Sequence, residues 1–330
     1  MKILVIRNDK LGDLINALPS FEIIKRAIPE ARITALLPEY TAPIAEICPF
    51  IDDVIVDRAD DAAVIAEIKS REFDAAIAYF STMRTALILR KAKVKRTLAP
   101  ATKIAQFLYK DRLKQRRSRS VKSESEYNID LTNYFLKGDF KAKIPLLEID
   151  EKTLRNQREK LARNLRLNAA KKRLFFHAAS GGSVNRLSSN QAADLINKIN
   201  AEFDFEIVLT AAPSEKPIAS EIRELCDQKE KIFIYAENDG LVDFARSVAL
   251  CDLMICVSSG PLHLAAAFNK PTIGFFPASR VESNVRWQPI NDPKKHLAIS
   301  AKDMEKKSMD SIDIGAEFER IREFIAKSAG

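Results

Sequence analysis

Three short segments of this chain gather residue types that could hold an anion or move a proton. The first, Asn8-Asp-Lys10-Leu-Gly12-Asp13, follows an apolar run and puts a carboxylate where the chain turns toward a helix, with Gly12 easing the turn. An aspartate there is either a helix N-cap or, facing a reacting hydroxyl, a general base. The second, His177-Ala-Ala-Ser180-Gly181-Gly182-Ser183-Val-Asn185-Arg186, places two adjacent glycines among hydroxyls in a protein that has only nine glycines. Such a loop is either a plain surface turn or a cradle whose backbone N–H groups approach a phosphate while Arg186 pairs with it. It is neither G-x-G-x-x-G nor a Walker A, so neither standard dinucleotide nor P-loop binding is supported. The third is Ser258-Ser259-Gly260-Pro261-Leu-His263, with Pro261 placed like the first residue of a helix. The positive end of that helix would suit an anion, and His263 in its first turn is either a donor to it or a buried, satisfied core histidine.

The elements that must position these loops read as α/β, because short apolar runs alternate with longer amphipathic segments. Strands are predicted at residues 3–7, 32–37, 53–56 and 75–79, and helices at 19–27, 42–47 and 62–69. Phe21, Ile24 and Ala27 share a face of the first of these helices. From Thr102 to Glu126 the period fades into Lys, Arg and Ser, which predicts a mobile basic loop before a helix at 127–136. After a linker near 140–152, a charged helix at 152–167 opens a second series. Its strands are predicted at 173–177, 206–210, 232–235, 253–257 and 272–276, and its helices at 190–202, 215–226, 241–250 and 261–268. Two Rossmann-like domains follow, 1–150 and 151–330, with a last helix at 317–326 that could pack back on the first. Ligands of open parallel sheets bind at the carboxyl ends of strands, and the three loops each leave one.

Composition bounds the function. In 330 residues, 46% hydrophobic and 30% charged residues can build a sizeable core, which excludes a largely disordered, collagen-like or disulfide-stapled chain. Cys48, Cys226, Cys251 and Cys256 form no C-x-x-C pair and no zinc-spaced cluster, so reduced buried thiols in a cytoplasmic protein are expected. The apolar start is too short for a signal-peptide core, and no apolar run is long enough to span a bilayer, so any membrane contact would be peripheral. The net charge of +8 is concentrated: between Ala101 and Lys122 eight Lys and Arg face only Asp111. Aromatic residues are hardly interleaved there, so no nucleic-acid partner is expected.

Together the three loops resemble glycosyltransferase family 9, the ADP-heptose:lipopolysaccharide heptosyltransferases. The similarity is carried by MKILVIRNDKLGDLINALPSFEIIKRAIP at the start, HAASGGSVNRLS in the middle and CDLMICVSSGPLHLAAAFNKPTIGFFP late, with Arg286-Trp287 beyond. The resemblance implies a GT-B fold, with the acceptor on the first domain, the nucleotide-sugar on the second and a cleft between their sheets. It implies inverting transfer without cofactor or metal, with Asp13 as catalytic base. Ser180, Gly181, Gly182, Asn185, Arg186, Ser258, Ser259, Gly260, Pro261 and His263 would bind the donor and its phosphates. Lys10, Gly12, Arg84 and Arg116 would meet an anionic glycolipid acceptor at the inner-membrane surface. Two positions depart from the family. Asn185-Arg186-Leu-Ser stands where a Lys usually precedes Arg-Trp-Pro, so Arg186 is expected at the phosphate. Ser258 stands where an Asp usually touches the donor sugar, which keeps open a transferase of another nucleotide-sugar. A non-catalytic nucleotide-binding protein is the remaining alternative.

Overall fold

The computed structural model describes residues 1–168, 170–178, 186–302 and 308–329. The chain divides into two compact units, Met1–Glu148 and Ile149–Gly330. The first unit runs β1 (Lys2–Ile6), α1 (Leu11–Ile15), α2 (Leu18–Ala27), β2 (Arg32–Pro38), β3 (Asp53–Asp57), α3 (Asp61–Arg71) and β4 (Ala75–Ala78). It continues with α4 (Met83–Lys91), β5 (Arg96–Pro100), β6 (Asp111–Leu113) and α5 (Glu124–Leu136). Its six strands pair in the order β3-β2-β1-β4-β5-β6, all parallel. Helices cover both faces, which is why β1 and β4 are continuous apolar runs rather than alternating ones. On one face Leu4, Ile6, Ile55 and Ala76 pack against Val64 and Ile68 of α3 and Leu89 of α4. On the other lie α2 and α5, packed against each other.

The second unit runs α6 (Glu151–Leu165), β7 (Lys172–His177), α7 (Ser189–Glu202), β8 (Phe205–Thr210), α8 (Lys216–Glu224), β9 (Ile232–Tyr235) and α9 (Leu241–Val248). It ends with β10 (Leu253–Val257), α10 (Gly260–Ala267), β11 (Thr272–Phe276), β12 (His296–Ser300) and α11 (Ile314–Ala329). The strand order is β12-β11-β10-β7-β8-β9, again all parallel. The last helix packs on α7, β10 and β12, with Ile321 and Ile325 in the core of this unit.

Both sheets reverse direction of winding beside their first strand, between β1 and β4 and between β7 and β10. These are the topological switch points where loops at the carboxyl edge part and leave a crevice. The first predicted loop leaves β1, the second leaves β7 and the third leaves β10. Adjacent strands thus bring His177 at the end of β7 beside Cys256 near the end of β10, where the third loop begins.

The structure departs from the sequence reading in one region and one edge. Residues 80–101, assigned no element, form α4 and β5. The basic stretch is no loop but a tight helical turn at Ile104–Leu108, the edge strand β6, a second turn at Arg117–Arg119 and the start of α5. β6 has three residues and β12 only one buried position, too little apolar pattern to stand out. All four cysteines are buried and unpaired, and burial pushes the Cys48, Cys251 and Cys256 thiols up to about 12.

Candidate active site

Arg7 directly follows β1, and its side chain is 2% exposed. A buried guanidinium must be paired, and this one is ringed by three carboxylates. Its Nη2 lies 2.5 Å from Asp13 Oδ1, its Nε 2.9 Å from Asp9 Oδ1 and its Nη1 3.0 Å from Glu124 Oε1. Glu124 is shared: Arg117 Nη1 donates to the same oxygen at 2.8 Å and to the Tyr79 carbonyl, just past β4, at 3.1 Å. Two guanidiniums and three carboxylates therefore close over the β1/β4 switch point. Glu124 belongs to a polar face of α5, since spacing by four puts Glu124, Asn128 and Thr132 on the inward side, all essentially buried. Asn128 donates to the Asn16 carbonyl at 3.1 Å, and Thr132 Oγ1 lies 2.7 Å from the Tyr79 hydroxyl. Sequence reasoning missed Arg7, Arg117 and Glu124 as site residues. Their signal was a charge closing an apolar strand and a polar stripe at helical spacing.

Asp13 is half-buried in the first turn of α1, three residues inside it; the N-cap is Lys10 and makes no side-chain cap. The cap reading of Asp13 is therefore replaced by the ion pair with Arg7. Gly12 is helical rather than the pivot of a turn, and its carbonyl accepts from the Asn16 amide side chain at 2.7 Å. Lys10 is exposed. Asn8 donates to Asp57 Oδ2 at 3.1 Å, and Arg84 grips both oxygens of Asp57, at 2.5 and 2.8 Å, and Asp61 at 2.7 Å. The Arg84 hydrogen bonds hold the Asp57 carboxyl down at about 2 against its partial burial, with Asn8 adding to the effect. Arg84 thus ties α4 to the end of β3 and braces the first loop; an acceptor anion would have to share it with Asp57. Arg116 is exposed, in a left-handed backbone conformation just before the Arg117–Arg119 turn. Its neighbour Arg117 is the one that turns inward.

In the second unit, Ser180, Gly181, Gly182 and Asn185 lie outside the described residues. The described edges of their loop are His177, whose Nδ1 lies 2.9 Å from the Thr210 carbonyl, and half-buried Arg186. Ser259 is the N-cap of α10 with extended backbone, and Pro261 stands in the first turn as expected. The Ser259 hydroxyl makes no capping bond but lies 3.2 Å from Cys256 Sγ, so the start of α10 has no side-chain cap. Ser258 is fixed by its backbone N–H, which donates to the Phe275 carbonyl at 2.9 Å. His263 is buried, with its ring edge-on to Trp287 at 6.1 Å. Burial and the nearby His296 hold it down at about 4, so at neutral pH it is uncharged and brings no positive charge to an anion there. Arg286-Trp287 is thereby brought to α10, with the Arg286 guanidinium 6.0 Å from the indole centroid. Among the described residues no group of three or more His, Cys, Asp or Glu could hold a metal ion, because the acids of the first unit face guanidiniums.

Two doubly wound parallel sheets, one with an acid cluster and one with an uncapped helix start at its switch point, define a GT-B-type α/β protein. A model of glycosyltransferase family 9 (heptosyltransferase) matches residues 62–313. A Haemophilus influenzae protein that carries the glycosyltransferase name is 50% identical over 307 residues, covering 90% of this chain and 88% of that one. The lipopolysaccharide heptosyltransferase 1 of Campylobacter coli is 26% identical over 313 residues, covering 88% of each chain. The solved E. coli ADP-heptose lps heptosyltransferase II superposes with a TM-score of 0.84 at 17% identity, over 100% of both chains, a likeness of fold. The chain belongs to glycosyltransferase family 9, and it is a glycosyltransferase of the heptosyltransferase type.

Proposed function

We propose that the chain moves a heptose from ADP-heptose, with inversion and without a metal, onto the anionic inner core of a lipopolysaccharide. The single observation that carries this reading is the half-buried Asp13 carboxylate held at the β1 carboxyl edge by Arg7. Arg7 engages Oδ1, which leaves Oδ2 as the oxygen to face an acceptor hydroxyl. As the acceptor oxygen bonds to the anomeric carbon, its proton passes to Asp13 and the bond from that carbon to the diphosphate breaks, releasing ADP. The departing diphosphate gains negative charge. The start of α10 at Ser259 and Gly260, Arg186 and the glycine loop are the groups proposed to stabilise it. The names of the relatives support a nucleotide-heptose donor and a lipopolysaccharide acceptor.

ADP release is to be measured with ADP-heptose and a panel of other nucleotide-sugars. Turnover on ADP-heptose, falling about 10²–10⁴-fold in Asp13→Asn with the fold retained, is the expected result. Unchanged turnover in that variant would remove Asp13 as base. Ser258, standing where the family usually has an Asp, favours a second reading in which another donor of the panel is preferred.

A further inference from the structure

The segment from Phe80 to Lys122 holds fourteen Lys and Arg and a single acid, Asp111, so the rest of the chain is net acidic. Asp111 does not neutralise the segment's outer side, because it turns to Arg96. The same segment carries the three most exposed large hydrophobics of the described chain, Ile104 at 72%, Val121 at 69% and Phe107 at 67%. Ile104 and Phe107 are three apart in a 3₁₀ turn, where such side chains eclipse one another and project together. That turn packs on α4, whose outward face adds Met83 and Leu87 one turn apart. Beside it, Lys110, Arg112 and Lys114 alternate through the edge strand β6 and its two flanking residues, so they project to one side, exposed and without an ion pair to any described acid. Arg112 joins the two features, its guanidinium 5.2 Å from the Phe107 ring centroid.

We infer that this surface docks the enzyme on an anionic lipid bilayer, with Ile104 and Phe107 entering the interface and the cations around them meeting headgroup phosphates. The inference rests on the proposed glycolipid acceptor for its purpose, though not for its measurement. Apolar side chains fenced by unpaired cations fit a bilayer that is apolar within and negative at its face. A nucleic acid would use the cations but leave Ile104, Met83 and Leu87 in water, and base stacking needs aromatics where this patch has mostly aliphatics. No described helix is long and apolar enough to cross a membrane, so contact would be through such a surface.

The test is sedimentation of the full chain, without donor or acceptor, with vesicles of phosphatidylglycerol and phosphatidylethanolamine or of phosphatidylcholine alone. Binding to the anionic vesicles alone, weakening with salt, is expected. Ile104→Ser with Phe107→Ser should weaken it at least about tenfold, and Lys110→Glu with Lys114→Glu by at least about fivefold per charge. Both variants should keep turnover on a water-soluble acceptor sugar, which shows that they fold. No vesicle binding, equal binding to neutral vesicles, unaltered binding in both variants, or release by stoichiometric RNA would each overturn the inference. Vesicle binding without heptose transfer would sink the proposed reaction and leave the docking surface standing.

Discussion

Asp9 and Asp13 share one guanidinium but not one environment. Burial pushes the Asp9 carboxyl up to about 7, against the pull of Arg7, with Asp13 and Glu124 adding their repulsion. The folded state therefore keeps a proton on Asp9 that the unfolded chain has released above its ordinary value of 3.8. The unfolded state binds fewer protons in that window, so this residue subtracts stability as pH rises from about 4 to about 7. Asp9→Asn removes the contribution. Urea unfolding of the two proteins at several pH values should show the variant gaining on the parent across that window and running parallel to it above. A constant difference at every pH would mean that Asp9 does not carry the proton. Asp9 stands two residues from Arg7 and four from Asp13, so the same variant reports whether turnover depends on it.

At the scale of elements, α5 is the piece that makes the Arg7 cluster possible. Its capping box, Ser123 with Glu126, sets where the helix begins, and so places Glu124 in the first turn, where the helix dipole favours a carboxylate. From there one oxygen of Glu124 pairs with Arg7 and Arg117 together. Replacing it by Gln takes an anion from the buried Arg7 and the half-buried Arg117 together, and for a buried guanidinium such a loss costs about 3–5 kcal/mol. Glu124→Gln should therefore lower the denaturant midpoint of the first unit. A loss below about 1 kcal/mol would show that Asp9 and Asp13 suffice to hold Arg7. The helix was legible in the sequence from residue 127 on, where Tyr127, Leu131 and Phe135 repeat at helical spacing. Its first turn was not, because Glu124 and Asn128 occupy core-facing positions with polar side chains, and a polar residue in a periodic pattern reads as solvent-facing. β5 and β6 were hidden for a related reason: their few residues lie among cations that dominate the local composition.

At the scale of the whole molecule, each unit has its own sheet and its own buried core, so each has the means to fold alone. A chain divided between Glu148 and Ile149 should give two fragments, each with a cooperative unfolding transition. Residues 149–330 alone should retain binding of ADP, measured by titration calorimetry, while residues 1–148 should not. A second fragment that folds without binding ADP would move the donor site off that unit. The amino-acid sequence by itself determined the α/β class, the two series of strands and helices and the family, because apolar periodicity and the three loop motifs are local properties of the chain. It also singled out Asp13, Ser259, Gly260 and His263. What the tertiary structure decided is which of these meet: that β1 lies beside β4, and β7 beside β10, is a matter of strand order, which periodicity does not encode. Only that order brings Glu124, more than a hundred residues along the chain, onto Arg7, with Arg117 on the same carboxylate oxygen. It also turns a stretch that reads as a solvated basic loop into a folded edge, with Arg117 half-buried at the site and its neighbours Arg116 and Arg119 facing out.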